Sequence, residues 1–161
     1  MNTSNWAEIY CPMLDNKAWG NESNIITIKT EVAPGCLVPD FECGQQSSFT
    51  GGESFPTIYN INLGSGTGVV TLTFDAIGIP DKFIVKFGGV EVINTGYRGQ
   101  TAYQSQLDAE LTSRGLPTEI ITAPPSGTAT FNKTTSSTTA QLIVYAPLTG
   151  TGWNATLSCP V

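Results

Sequence analysis

The chain contains no histidine. That absence removes the usual general base, so a Ser-His or Cys-His nucleophilic pair is excluded. It also thins any metal chemistry. The four cysteines, Cys11, Cys36, Cys43 and Cys159, form no Cys-x-x-Cys, so a zinc site has no ligand set. Charge is scarce as well, at 12% of residues, against about 25% in an average soluble protein. Seven Lys and Arg face 13 Asp and Glu, a net charge of −6. With no basic patch to neutralise phosphates, nucleic-acid binding is excluded, and so is attraction to an anionic membrane surface. No apolar run approaches the roughly 18 residues that span a bilayer. The start, Met1-Asn2-Thr3-Ser4-Asn5-Trp6, carries neither the basic nor the apolar region of a leader peptide. The expectation is then a protein that reaches the outside by lysis or after losing a leader.

What is abundant points one way. There are 22 threonines and 17 glycines in 161 residues. Threonine, with valine and isoleucine, branches at Cβ, which suits a pleated strand and disfavours a helix, while glycine and proline supply turns. This is the composition of an extracellular or virion β-protein. The length allows one domain with an appendage, and about 70% of the unfolded surface can be buried without staples.

Two regions differ in texture. Residues 1–54 are irregular and acidic, with one strand candidate at Ile25–Thr30 and a linker-like end at Gln45–Ser54. They hold too little apolar material for a core of their own and read as an anchoring or docking segment. Residues 55–161 read as a compact β-domain. Tyr59, Ile61 and Leu63 alternate with asparagines, and Val70, Leu72 and Phe74 alternate with Thr71, Thr73 and Asp75. Phe83, Val85 and Phe87 share one face of the next strand, and Gly88-Gly89 forms a two-residue hairpin turn into Val90–Ile93. Later strands fall at Thr128–Asn132, Thr139–Tyr145 and Trp153–Ser158. Tyr103, Leu107 and Leu111 recur at helical spacing within 102–115, and this helix is expected to cover an edge or end of the sandwich. The expected fold is mostly β: an antiparallel, jelly-roll-like β-sandwich with one short helix and an irregular N-terminal appendage.

Candidate chemistry is sparse. Gly64-Ser65-Gly66-Thr67-Gly68 imitates a phosphate loop but lacks the following Lys-Ser/Thr and leads into a strand, so it reads as a turn. Asp75 and Asp81 bracket the loop 76–80, and topology places them near Thr95–Gly99. The sharp reading is a calcium site on Asp75 and Asp81, or a ligand site using Tyr97, Arg98 and Tyr103. Two carboxylates are a thin calcium set, and the plainer reading is an Asp81–Arg98 ion pair with turn aspartates capping backbone. As sugar platforms the sequence offers Tyr97, Tyr103, Tyr145, Trp6 and Trp19, whereas Trp153 fits the inward pattern of a core residue. Among three formal cysteine pairings, Cys36 with Cys43 would staple the loop between them and Cys11 with Cys159 would tie the appendage to the chain end. Four reduced thiols are the alternative.

The stretch Leu63–Ala76 and its sequel, with Ile79-Pro80-Asp81-Lys82-Phe83 and Thr95-Gly96-Tyr97-Arg98-Gly99, resembles a β-sandwich module of virion proteins from phages of Bacteroidetes, found also in some bacterial surface proteins. The resemblance covers roughly residues 58–158. It implies outward display as a capsid decoration, head fibre, tail fibre or adhesion domain, with no catalytic residues to carry over. The expected role is a structural, non-catalytic protein on the exterior of a virion. Residues 1–54 would meet other virion proteins, a cell-surface glycan is a candidate ligand, and a homo-oligomer is a candidate assembly. No cofactor is implied beyond calcium. The alternative is a secreted or cell-surface carbohydrate-binding module or adhesin.

Overall fold

The computed structural model describes residues 41–50 and 54–161, with no side-chain detail for 48–54. The strand candidate at 25–30, Trp6, Trp19, Cys11 and Cys36 lie outside the described residues.

Among the described residues nine strands and one α-helix follow in order, with a short 3-10 turn at Thr101–Tyr103 before the helix. They are β1 (Phe41–Glu42), β2 (Gln46–Thr50), β3 (Ser54–Asn62), β4 (Gly68–Asp75), β5 (Asp81–Phe87), β6 (Val90–Arg98), α1 (Gln104–Ser113), β7 (Ser126–Lys133), β8 (Thr139–Ala146) and β9 (Gly152–Leu157). Two sheets form, ordered β1-β3-β8-β5-β6 and β2-β9-β4-β7. All pairings are antiparallel except that of the two-residue β1 with β3. Without β1, the order 3-8-5-6 facing 2-9-4-7 is that of a jelly roll, two Greek keys folded over one core.

Period-two alternation drives this arrangement. Val70, Leu72 and Phe74 of β4, Phe83 and Val85 of β5, Leu142 and Val144 of β8, and Trp153, Ala155 and Leu157 of β9 meet in one buried cluster. Trp153 has no exposed surface, and its ring meets Tyr59 and Phe83 edge-on. At the β5–β6 turn Gly88 and Gly89 both take positive φ, 59° and 79°, which a β-branched side chain would resist. At the start of β4 a Cβ on Gly68 would lie 2.3 Å from the carbonyl oxygen of Val161. Only glycine lets the chain end pair there, through Val69 N–H to Val161 O and Val161 N–H to Val69 O. The Gly64–Gly68 segment is the β3–β4 connection, and the buried Lys133 ammonium pins it by donating to Gly66 O and to Thr135 O.

Three features differ from the sequence expectation. First, the sandwich begins before residue 55. β2 pairs with β9 over Gln46–Thr50, and β1 with β3. The linker-like composition of this stretch is that of an edge strand, in which even the inward Ser47 is polar, its buried hydroxyl donating to Ala155 O. Second, α1 covers a sheet face, not an edge or end. Leu107 and Leu111 pack with Tyr97 of β6, Tyr145 of β8 and Phe55 of β3, on the side of that sheet opposite the main core. Third, the described disulfide joins Cys43 to Cys159 across 116 residues, so neither the Cys36–Cys43 nor the Cys11–Cys159 pairing forms. The reason is register. Cys43 N–H bonds to Asn62 O and Gly44 N–H to Leu157 O, which seats Cys43 beside the end of β9.

Candidate functional site

The end of the sandwich where topology gathers Asp75, Asp81 and residues 95–99 is built for structure. Asp81 opens β5 with no exposed surface. The Thr151 hydroxyl lies 2.8 Å from each carboxyl oxygen. Burial raises the carboxyl from 3.8 to about 8, with the Thr151 hydrogen bond pulling partly the other way. Arg98 is opposite Asp81 in the β5–β6 register, yet the ion pair is not made. Its Nε donates instead to Pro124 O at 3.0 Å, and the guanidinium lies over the Phe74 ring. Asp75 caps a turn, as its position between strand and loop suggests. Its Oδ1 accepts the Ile77 N–H at 2.7 Å. The two carboxylates thus have separate hydrogen-bond partners in the fold. Among the described residues no group of three or more His, Cys, Asp or Glu side chains could hold a metal.

The tyrosines offered as platforms turn inward. Tyr97 is 1% exposed, because α1 and the segment carrying Ile121 close over the sheet there. Burial, then the nearby Glu119, push its phenol upward. Tyr97 and Tyr145 flank Lys82 in cross-strand register, with the ammonium 4.9 and 5.0 Å from the two ring centroids. Glu119 reaches that ammonium at 2.6 Å. A pocket of about 230 Å³ remains between this group and Leu111, Leu116 and Phe55. Tyr103 is half-buried in the same cluster. Lys82 already fills the cationic position between the rings, so the arrangement clamps the helix layer onto the sheet. The structure therefore brings Tyr97 and Tyr103 together, but as packing, and leaves Arg98 apart from them with Pro124 and Phe74.

The opposite face of the molecule is different. On the outer side of the β2-β9-β4-β7 sheet, Gln46, Thr156, Thr73 and Thr128 form one cross-strand row. Asn154, Asp75 and Ser126 form the next. A hollow of about 360 Å³ opens over these two rows, within the usual range of about 300–1,000 Å³ for ligand sites. Gln46 Nε2 donates to Asn154 Oδ1 at 2.8 Å. The Thr73, Thr128, Thr156 and Ser126 hydroxyls have no protein partner among the described residues. Neither an aromatic platform nor a cation lines it apart from the Phe74 edge. The sequence reading passed over this face. Its signal was present as the polar half of the alternation Thr71-Leu72-Thr73, Thr128-Ala129-Thr130 and Thr156-Leu157-Ser158, but the register that assembles those halves is not local.

No family model and no curated protein sequence matches this chain. Among solved structures it is similar to the pre-peptidase C-terminal domain of a collagenase from Bacillus anthracis, with 13% identity, 76% of this chain and 98% of that chain covered, and a TM-score of 0.46.

Proposed function

We propose that this chain is a non-catalytic display domain that works outside the cytoplasm and contacts its ligand through the bare face of the β2-β9-β4-β7 sheet. The carrying observation is the contrast between that open hollow, lined by hydroxyl and amide side chains, and the interior, where among the described residues the buried Asp81 and Lys133 and the partly buried Lys82 are each tied to structural partners. Asp81 is held by Thr151, Lys133 by two carbonyls, and Lys82 by Glu119 and two tyrosine rings. Jelly rolls serve as viral capsid and lectin domains among other uses. That is analogy at the level of fold and does not choose among them. Combined with the resemblance of residues 58–158 to virion display modules, it supports a place on the exterior of a phage particle, as capsid decoration, head fibre or tail-associated protein.

One observation favours a second reading, a secreted or cell-surface carbohydrate-binding module or adhesin. The Cys43–Cys159 bond suits an oxidising compartment, whereas a phage protein assembles among reduced cytoplasmic thiols. Peptide mass spectrometry across a density gradient of lysate from the source culture separates the two. Peptides co-sedimenting with DNA-filled particles support the virion place. Peptides confined to envelope or secreted fractions remove it and leave the adhesin reading.

A further inference from the structure

The hollow on the bare sheet has a chemistry more specific than polarity. Neighbours within a row are one inter-strand spacing apart and the two rows are two residues apart along the strands, roughly 4.8 Å and 6.6 Å. The open groups alternate in kind. Threonine and serine hydroxyls both donate and accept, Asn154 keeps its Nδ2 donor because its Oδ1 is bonded to Gln46, and Asp75 keeps one carboxylate oxygen beyond the one capping Ile77. Each threonine also shows a methyl group beside its hydroxyl. The one charge in the lining is the Asp75 carboxylate, in a chain of net charge −6. A ligand matching this set must carry many hydroxyls with C–H groups between them, and must not be anionic.

We infer that the hollow binds a neutral glycan segment lying across β9, β4 and β7, with Thr73, Thr128, Thr156 and Asn154 bonding ring hydroxyls and Asp75 accepting from a vicinal pair. Nucleic acids and acidic polysaccharides are disfavoured by the missing cations. A peptide strand would need a sheet edge, whereas the hollow lies on a face, where backbone groups are already paired within the sheet. With no exposed ring to stack on, affinity rests on hydrogen bonds, so a single site is weak and gains from many copies on one surface. That need for multivalency is where the inference rests on the display reading.

The test is amide-shift mapping by NMR on the isotope-labelled full chain, titrated with neutral gluco-, galacto-, manno- and xylo-oligosaccharides and with an acidic oligosaccharide. The expected result is saturable shifts at Thr73, Asp75, Thr128, Asn154 and Thr156 with at least one neutral series. Asn154→Ala should then weaken binding about tenfold, and the near-isosteric Thr128→Val several-fold, each with the spectrum otherwise unchanged. Shifts confined to the helix-covered face, stronger binding of the acidic sugar, wild-type affinity in both variants, or no shift with any neutral series would each overturn the inference. None of those outcomes bears on where the protein sediments, so the glycan site and the exterior place fail separately.

Discussion

The two outer faces of this sandwich are made by the same alternation and put to opposite uses. On the β3-β8-β5-β6 sheet the outward residues include an apolar and aromatic patch, Ile84 of β5, Ile143 and Tyr145 of β8 and Tyr97 of β6, beside Lys82, Lys86, Asn60 and Gln141. Such a face cannot stay in water without cost, and α1 with the following segment covers it. On the β2-β9-β4-β7 sheet the outward residues are mainly threonine, serine and asparagine, and no described element lies over them. A threonine on the outward side of a strand keeps the β preference of its branched Cβ while leaving a hydroxyl to solvent. The high threonine count therefore stabilises the sheet without requiring a third layer. The lesson is that the covered face carries stability while the bare face stays open to solvent.

The comparison breaks most readily at the covered face. Leu111→Ala, under the helix and 1% exposed, should cost about 2–5 kcal/mol in chemical denaturation. A loss below about 1 kcal/mol would mean that the helix layer is loosely held. Next comes the staple that joins β1 to the chain end. Replacing Cys43 with serine, or reducing the bond, should lower stability by about 2–4 kcal/mol, read as a fall in Tm that reducing agent reproduces in the unmutated protein.

A graded effect, one that depends on pH, is expected from Asp81. Its folded pKa, about 8, lies above its ordinary 3.8. Between those values the folded state holds a proton that the unfolded chain has released, so rising pH favours unfolding. Its contribution is fully present below pH 3.8 and lost once pH passes about 8. The slope within that window reaches about 1.4 kcal/mol per pH unit. Asp81→Asn should flatten that part of the stability profile. A profile in Asp81→Asn as steep as in the parent would show that the carboxyl is ionised in the fold. The least effect belongs to the bare face, where Thr128→Val should change stability by no more than about 0.5 kcal/mol. A larger loss would show that the row of hydroxyls is a structural network after all.

Much of the fold is legible in the chain. β4, β5, β8 and β9 follow from alternating apolar residues, the hairpin from Gly88-Gly89, and the helix from Tyr103, Leu107 and Leu111. What stays hidden is what register decides. β2 is invisible as a strand because an edge strand in this sandwich buries Ser47 where a central one would bury valine or leucine. Tyr97 looks like an exposed platform until the helix that begins seven residues downstream is placed over it. Asp81 finds Thr151 across 70 residues and Cys43 finds Cys159 across 116, distances over which local pattern says nothing. The candidate site suffers most from this. Its residues come from four strands, and apart from Asp75 each one taken alone is an ordinary surface threonine, asparagine, serine or glutamine.

The proposed place outside the cytoplasm is read most directly at the thiols, because an oxidising compartment keeps the Cys43–Cys159 bond. Protein taken from the source culture in the presence of an alkylating agent, then digested without reduction, should yield one peptide pair linked through Cys43 and Cys159. Both cysteines recovered as alkylated free thiols would contradict the Cys43–Cys159 bond and the secreted or cell-surface place it supports.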